Sequence, residues 1–135
     1  MKIRDLTTDD LNFMAEHSVS RGLKEYPATV DLSFALEDDG QLIGTGGLKL
    51  LNKTSAWCWM DWTAEAKGTP YTVFRIVDEY LEKLAKDLGL RCVMAAVRID
   101  FPEAIRTVEH LGFQREGTMV RFYGDSDADF YVRTF

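Results

Sequence analysis

The sequence predicts a single mixed α/β domain, in which a sheet of about six or seven strands is flanked by helices. Three observations favour this class. Apolar residues recur at helical spacing over 71–88, between two short apolar segments at 54–63 and 91–98 that have strand character. A helix between two buried strands is typical of a crossover that makes those strands parallel. Turn residues at 38–40 separate two further strand-like segments and predict an antiparallel hairpin.

The first elements are a strand and a helix. Lys2-Ile3-Arg4 predicts a short strand, and Thr7 or Thr8 before Asp9-Asp10 predicts a helix start, because a hydroxyl can cap free amides and acids suit the positive helix end. The expected apolar positions of this helix are Leu11, Phe13, Met14 and Val19, with Gly22 and Tyr26-Pro27 ending the helical stretch.

The hairpin and the next strand follow. Residues 31–38 and 41–50 are predicted as strands, and Gly44, Gly46 and Gly47 in the second one indicate a bulge or a close approach by another group. The segment 54–63 contains Trp57, Trp59 and Trp62 and predicts an interior strand. These tryptophans either belong to the core or line a substrate groove.

The second half continues the pattern. Residues 64–68 are predicted as a loop, Thr69-Pro70 as the start of the long helix and Gly89 as its end. A second helix is expected from Pro102-Glu103 to Gly112, before two closing strands at 113–122 and 129–135.

Composition and charge limit the function. Of the 135 residues, 46% are hydrophobic and 28% charged, and the net charge is −6. These values are typical of a globular chain and disfavour a nucleic-acid partner. We expect one domain over 1–135.

The sequence also indicates where the protein is located and whether it binds a metal. No segment reaches the ~18 apolar residues of a membrane span, and the N-terminus lacks the apolar core of an export signal. We therefore expect no membrane partner and a cytoplasmic location. Cys58 and Cys92 have no Cys or His companion at metal spacing, so we interpret both as buried thiols and expect no metal.

Three segments carry a family resemblance. EAIRTVEHLGFQREGT at 103–118, IRDLTTDDL at 3–11 and ALEDDGQLIGTGGLKL at 35–50 resemble the GNAT superfamily of acetyl-CoA-dependent N-acetyltransferases, and the order of elements matches over essentially the whole chain. The resemblance implies a GNAT-like fold, acetyl-CoA as cosubstrate, and acetyl transfer to a primary amine.

The resemblance also implies a coenzyme A site. In the family, amides of a glycine-rich loop and of the next helix N-terminus hold the pyrophosphate; here the corresponding segment, 65–72, keeps only Gly68, and Pro70 removes one donor. An alternative is that Thr69-Pro70 is only a good helix start. Phe101 and Val108 stand where many members have asparagine and tyrosine. The implied cofactor-binding residues are Trp62, Thr63, Lys67, Gly68, Thr69 and Phe101.

Two carboxylates are candidate general bases. Asp61 lies among Trp59, Met60 and Trp62, and large apolar neighbours raise a carboxyl pKa toward useful values. The alternative is a partly exposed charge at a sheet edge. Glu65 is the second candidate, with a solvated loop acid as its alternative. By resemblance, backbone amides of 61–63 stabilise the oxyanion.

Acidic residues at Glu37-Asp38-Asp39 and at Asp125, Asp127 and Asp129 predict negative patches. Such patches attract an amine-bearing small molecule or a basic protein segment. A different class of function is a catalytically degenerate GNAT-like scaffold that binds protein, since the chain also resembles the acetyltransferase-like internal virion proteins of short-tailed bacteriophages; its location is then the virion. A homodimer formed through exposed strand edges is a further alternative.

Overall fold

The computed structural model describes residues 1–20 and 31–135. In this part of the chain, the strands are β1 (Lys2–Asp5), β2 (Leu32–Asp38), β3 (Gln41–Leu50), β4 (Ser55–Trp62), β5 (Cys92–Arg98), β6 (Gln114–Tyr123) and β7 (Ser126–Thr134). The helices are α1 (Thr8–His17), α2 (Pro70–Leu88) and α3 (Pro102–His110), with a short 3-10 helix at Ala64–Gly68.

The strands form one mixed sheet in the order β1-β2-β3-β4-β5-β7-β6. β4 and β5 are parallel, with Ser55 opposite Cys92 and Trp57 opposite Met94, and α2 is the connection between them. β5 and β6 both pair antiparallel with β7. The predicted mixed α/β class and the predicted parallel pair are therefore confirmed.

The contacts divide the chain into two compact units. The first unit comprises Met1–Lys49 and Cys58–Val73, and the second comprises Leu50–Trp57 and Phe74–Phe135.

In the first unit, α1 begins at a capping box. The Thr7 hydroxyl accepts from the Asp10 amide and the Asp10 carboxylate accepts from the Thr7 amide, which satisfies two donors of the helix start. Arg4 of β1 donates to both Asp10 oxygens at 2.7 and 2.9 Å, so the start of α1 is fixed to the strand before it. Further along α1, Met14 packs with Ala35 and Leu42 in the buried core.

The hairpin between β2 and β3 has the predicted turn. Asp39 and Gly40 both have positive φ, at 49° and 78°, which is the geometry of a two-residue turn whose twist matches the flanking strands. The pairing register shifts between Leu36 and Glu37, so β3 carries the predicted bulge.

In the second unit, α3 packs against β5, and Val93, Ala95 and Val97 of β5 are buried. Gly89 and Gly112 follow α2 and α3 with positive φ of 71° and 82°, a left-handed conformation that is common after a helix and that glycine favours.

Arg133 of β7 adds an ionic contact in the second unit. Its guanidinium donates to Asp78 at 2.6 Å, to Glu82 at 3.1 Å and to the Leu111 carbonyl at 2.9 Å. Because Asp78 and Glu82 lie one turn apart on α2 and Leu111 follows α3, one side chain links a strand to two helices.

Several sequence predictions need correction. α1 ends at His17, so Val19 lies beyond it. The expected loop at 64–68 is a 3-10 helix, and β7 begins at Ser126 rather than at Asp129. Cys58 is buried as predicted, but Cys92 is only half-buried, because it belongs to the more exposed side of the alternating β5 strand. The predicted helix end at Gly22 and Tyr26-Pro27 lies outside the described residues.

Among the described helices, none combines the length and the apolar character that crossing a membrane requires.

Candidate active site

The candidate site is built where β4 ends against the glycines of β3. A Cβ atom on Gly44 would lie 2.5 Å from Cε3 of Trp62 and 2.8 Å from the Asp61 carbonyl oxygen. A Cβ atom on Gly47 would lie 2.6 Å from Nε1 of Trp59. The close approach predicted from these glycines is therefore confirmed: the rings of Trp62 and Trp59 and the backbone oxygens of Asp61 and Leu32 lie against them.

The same contacts give the register of the two strands. The Thr63 amide donates to the Ile43 carbonyl at 2.9 Å, while Gly44 meets Trp62 and Gly47 meets Trp59. Continuing this pairing places Thr45 opposite Asp61, and directly opposed residues of antiparallel strands point to the same face. Thr45 and Asp61 are both buried, at 4% and 2% exposure.

Asp61 lies inside a hydrogen-bonded polar cluster. Its Oδ1 accepts from the Ser18 hydroxyl at 2.7 Å and from the Trp62 amide at 2.9 Å. The alternative that Asp61 is a partly exposed edge charge is wrong, because the segment that follows α1 covers it. Its role as a general base stays a prediction.

Backbone contacts hold that covering segment in place. The Val19 amide donates to the Trp62 carbonyl at 2.9 Å, and Ser18 forms an antiparallel bridge with Thr63. The Ser18 and Ser20 hydroxyl oxygens are 2.6 Å apart. Sequence reasoning missed both serines, since no motif or spacing relates them to a carboxylate more than forty residues away along the chain.

The strand-end amides are already engaged. The Trp62 amide donates to Asp61 and the Thr63 amide donates to Ile43. The Thr63 hydroxyl contacts the Leu42 and Ile43 carbonyls, each at 3.0 Å. Two of the amides assigned to the oxyanion by resemblance therefore have acceptors within the protein, and the Trp62 amide can serve an oxyanion only by leaving Asp61.

The segment assigned to the pyrophosphate is open to solvent. Glu65, Lys67, Gly68 and Thr69 are all exposed, and a Cβ atom on Gly68 would meet nothing within 4 Å. The first turn of α2 contains no acidic residue. A helix N-terminus without a carboxylate keeps its positive field for an anion. The assignment of the pyrophosphate to this segment stays a prediction.

The remaining assigned residue, Phe101, belongs to the second unit. It is 9% exposed and precedes Pro102 at the start of α3, and its amide donates to the Arg98 carbonyl at 3.1 Å. Val108 is also buried. Val108 therefore packs in the interior, and α3 has no tyrosine hydroxyl at position 108.

The three tryptophans differ in burial. Trp59 is buried and belongs to the core, whereas Trp57 and Trp62 are half-buried. In the second unit, the Trp57 ring stacks on Phe130 with centroids 6.0 Å apart and lies 6.1 Å from the Phe122 ring.

Several carboxylates of the predicted acidic patches form ion pairs. Glu37 accepts from Arg4 at 2.7 Å and pairs with Lys2 at 3.2 Å, and the Arg4 guanidinium lowers the pKa of Glu37. Asp38 pairs with the N-terminal ammonium at 3.4 Å. Asp129 likewise pairs with Arg115 at 3.1 Å. Three of the six acidic residues in the predicted patches are therefore paired with cations, and the attraction of these patches for a basic partner stays a prediction.

Comparison with solved structures shows which known fold the chain has. No family model matches the sequence, and no curated protein matches it. The spermidine N-acetyltransferase of Vibrio cholerae, solved in complex with CoA and spermine, superposes with a TM-score of 0.76 at 21% identity over 98% of this chain and 94% of that chain. A mutant of that enzyme gives 0.77 at 20% identity over 99% and 95%.

A second neighbour is the GNAT-family acetyltransferase from Bacillus anthracis. It matches with a TM-score of 0.66 at 16% identity over 76% of this chain and 65% of that chain. The chain has the GNAT fold. The fold resemblance predicted from 103–118, 3–11 and 35–50 is thereby confirmed, and the strand order and the α2 crossover described above are the chain's version of the GNAT fold.

Proposed function

We propose that this protein is an acetyl-CoA-dependent N-acetyltransferase that acts on a primary amine of a small molecule or of a basic protein segment. The observation that carries the proposal is the likeness in fold, over 98% of the chain, to an N-acetyltransferase whose structure contains CoA and spermine. The proposed place of the reaction is the cytoplasm.

The cofactor assignment is supported by the start of α2. The pyrophosphate is proposed to lie near Lys67, Gly68 and Thr69, where the helix dipole and a lysine both favour an anion. Pro70 contributes no amide donor, so Lys67 has a larger share of the binding than a lysine would have beside a full glycine loop. The open backbone at Gly68 allows close approach.

The proposed chemistry uses Asp61 as the proton acceptor. Acetyl-CoA supplies an acetyl thioester, whose C–S bond breaks as a C–N bond to the neutral amine forms. The amine has to lose a proton during this step, and a carboxylate is a suitable acceptor. Asp61 is ionisable, buried and hydrogen-bonded, whereas Glu65 is exposed; we therefore place Asp61 first and Glu65 second.

A second candidate function is a protein-binding scaffold that has lost catalysis. It is favoured by the engaged Trp62 amide and by the buried Val108. Under this alternative the protein works by its surface, as in the acetyltransferase-like virion proteins that the sequence resembles, and the acetyl-CoA site is not retained.

Calorimetric titration of the full chain with acetyl-CoA and, separately, with coenzyme A distinguishes the two candidates before any acceptor is known. The enzyme proposal predicts saturable binding of both compounds and weaker binding by the Lys67→Glu variant. Absence of binding at millimolar ligand would contradict the enzyme proposal and favour the scaffold.

A further inference from the structure

The polar cluster at Asp61 contains a chain of hydroxyl groups that ends on the carboxylate. Ser18 Oγ donates to Asp61 Oδ1 at 2.7 Å, and Ser20 Oγ lies 2.6 Å from Ser18 Oγ. Both distances are in the short range of hydrogen bonds that involve hydroxyls and carboxylates. All the groups belong to the first unit, and Ser20 and Asp61 are 4% and 2% exposed.

The direction of this chain follows from counting protons. An ionised carboxylate only accepts, and a serine hydroxyl has one proton and two lone pairs. Because the Ser18 proton points to Asp61, the bond between the serines has to be donated by Ser20. Ser18 Oγ also accepts from the Ser20 amide at 3.0 Å, so its donor and both lone pairs are used. The open end of the chain is then the oxygen of Ser20.

The hydroxyl chain is the path by which a proton can reach Asp61 Oδ1. This oxygen already accepts from Ser18 and from the Trp62 amide, so a proton arrives there through Ser18. The lone pairs of Ser18 are in turn taken by the hydroxyl and the amide of Ser20. Backbone contacts hold the covering segment in place. A proton can reach Asp61 without moving this backbone if it is passed from one hydroxyl to the next.

We infer that Ser20 and Ser18 form a two-hydroxyl relay that delivers the proton of the acceptor amine to Asp61. This inference rests on the proposed function. As the amine nitrogen bonds to the acetyl carbon and the C–S electron pair leaves with sulfur, the amine proton passes to Ser20, the Ser20 proton to Ser18, and the Ser18 proton to Asp61. Each serine ends with one proton, Asp61 becomes a carboxylic acid, and the proton later leaves for the thiolate through solvent.

The relay makes Ser18 and Ser20 different from residues that only position Asp61. If Ser18 merely orients the carboxylate, removing the Ser20 hydroxyl leaves the bond between Ser18 and Asp61 intact and kcat unchanged. If the relay operates, either loss interrupts the proton path. The variants Ser18→Ala and Ser20→Ala therefore separate the two roles, and Ser18→Thr restores the hydroxyl.

Thr54 offers a control outside the relay. It is exposed in the second unit, and its hydroxyl donates to Asn52 Oδ1 at 3.3 Å. Thr54→Val removes a side-chain hydroxyl and leaves every group of the relay in place. Its kcat should equal that of the wild type.

The experiment measures steady-state acetylation of a primary-amine panel, with infrared spectra of the carboxylate stretch as a readout independent of activity. We expect Ser18→Ala and Ser20→Ala each to lower kcat by roughly tenfold or more, within the usual range of acid–base contributions. KM for acetyl-CoA should stay unchanged, and Ser18→Thr should recover most of kcat. Only the variants that alter Ser18 should shift the infrared band of Asp61.

Four outcomes would overturn the relay: unchanged kcat in Ser18→Ala, unchanged kcat in Ser20→Ala, failure of Ser18→Thr to recover activity, or an equal loss in Thr54→Val. Wild-type protein that binds acetyl-CoA and acetylates no amine would overturn the proposed function, and the relay with it, while an infrared shift in Ser18→Ala would still report the bond between Ser18 and Asp61. The two failures are thus distinguishable.

Discussion

Gly44 is the position where the packing of the candidate site can be tested most sharply. In Gly44→Ala, the added methyl group would lie 2.5 Å from the Trp62 ring and 2.8 Å from the Asp61 carbonyl oxygen. The ring can rotate, but the carbonyl belongs to the paired strand and cannot move without shifting Asp61. We therefore expect β3 and β4 to separate slightly at this point.

The magnitude follows from two opposing terms. Overpacking of a tight site costs about 1–3 kcal/mol, whereas replacing a glycine by alanine within a regular element recovers roughly 0.5–1 kcal/mol of backbone entropy. The net loss in the free energy of unfolding should be about 1–2 kcal/mol. For a chain of this size, that corresponds to a fall in Tm of roughly 4–8 °C.

Urea unfolding and thermal melts, both followed by circular dichroism, measure this loss. Gly117→Ala is the matched control, because Gly117 also lies in a strand, has no positive φ, and would place its Cβ atom at least 4 Å from other groups. We expect this control to be neutral or slightly stabilising. If Gly44→Ala were as stable as Gly117→Ala, the close packing of β3 against Trp62 and Asp61 would be refuted.

Three further predictions concern charge. Lys67→Glu should weaken acetyl-CoA binding at least about tenfold, or ~1.4 kcal/mol, and unchanged affinity in calorimetry would remove Lys67 from the site. Asp61→Asn should lower kcat by ~10²–10⁴-fold with acetyl-CoA affinity preserved; equal kcat would exclude Asp61 as the base. Arg4 lowers the pKa of Asp10 from 3.8 to about 2. The ionised Asp10 carboxylate therefore adds at most about 2 kcal/mol to the free energy of unfolding. This contribution is complete above pH 4 and is lost as the pH falls toward 2. Urea unfolding should show this acid dependence in the wild type and a flatter one in Arg4→Met.

The parts of the fold that the sequence predicts are those determined by residues close together in the chain. The helix start near Thr7, the turn at Asp39 and Gly40, and the helix end at Gly89 each depend on conformations that a few residue types favour. The parallel pairing of β4 with β5 was predictable because chain connectivity and crossover rules leave few alternatives.

The candidate site was predictable only in part, because its contacts join distant segments. Asp61 can be selected from its apolar neighbours, but its burial depends on Ser18, which belongs to another element. The pairing of Glu37 with Arg4 has the same origin, since β1 and β2 become neighbours only in the sheet. The engaged Trp62 amide depends on a side-chain rotamer of Asp61, and no sequence pattern encodes that rotamer.

The most direct test of the account is acetyl transfer by the purified 135-residue chain. The protein is incubated with acetyl-CoA and a panel that includes spermidine, other small primary amines and a lysine-rich peptide, and products are identified by mass spectrometry while released thiol is counted. We predict that at least one primary amine gains an acetyl group in step with the release of coenzyme A thiol, and that Asp61→Asn abolishes most of this turnover. A chain that releases no thiol with any amine and leaves every acceptor unmodified would contradict the acetyltransferase function.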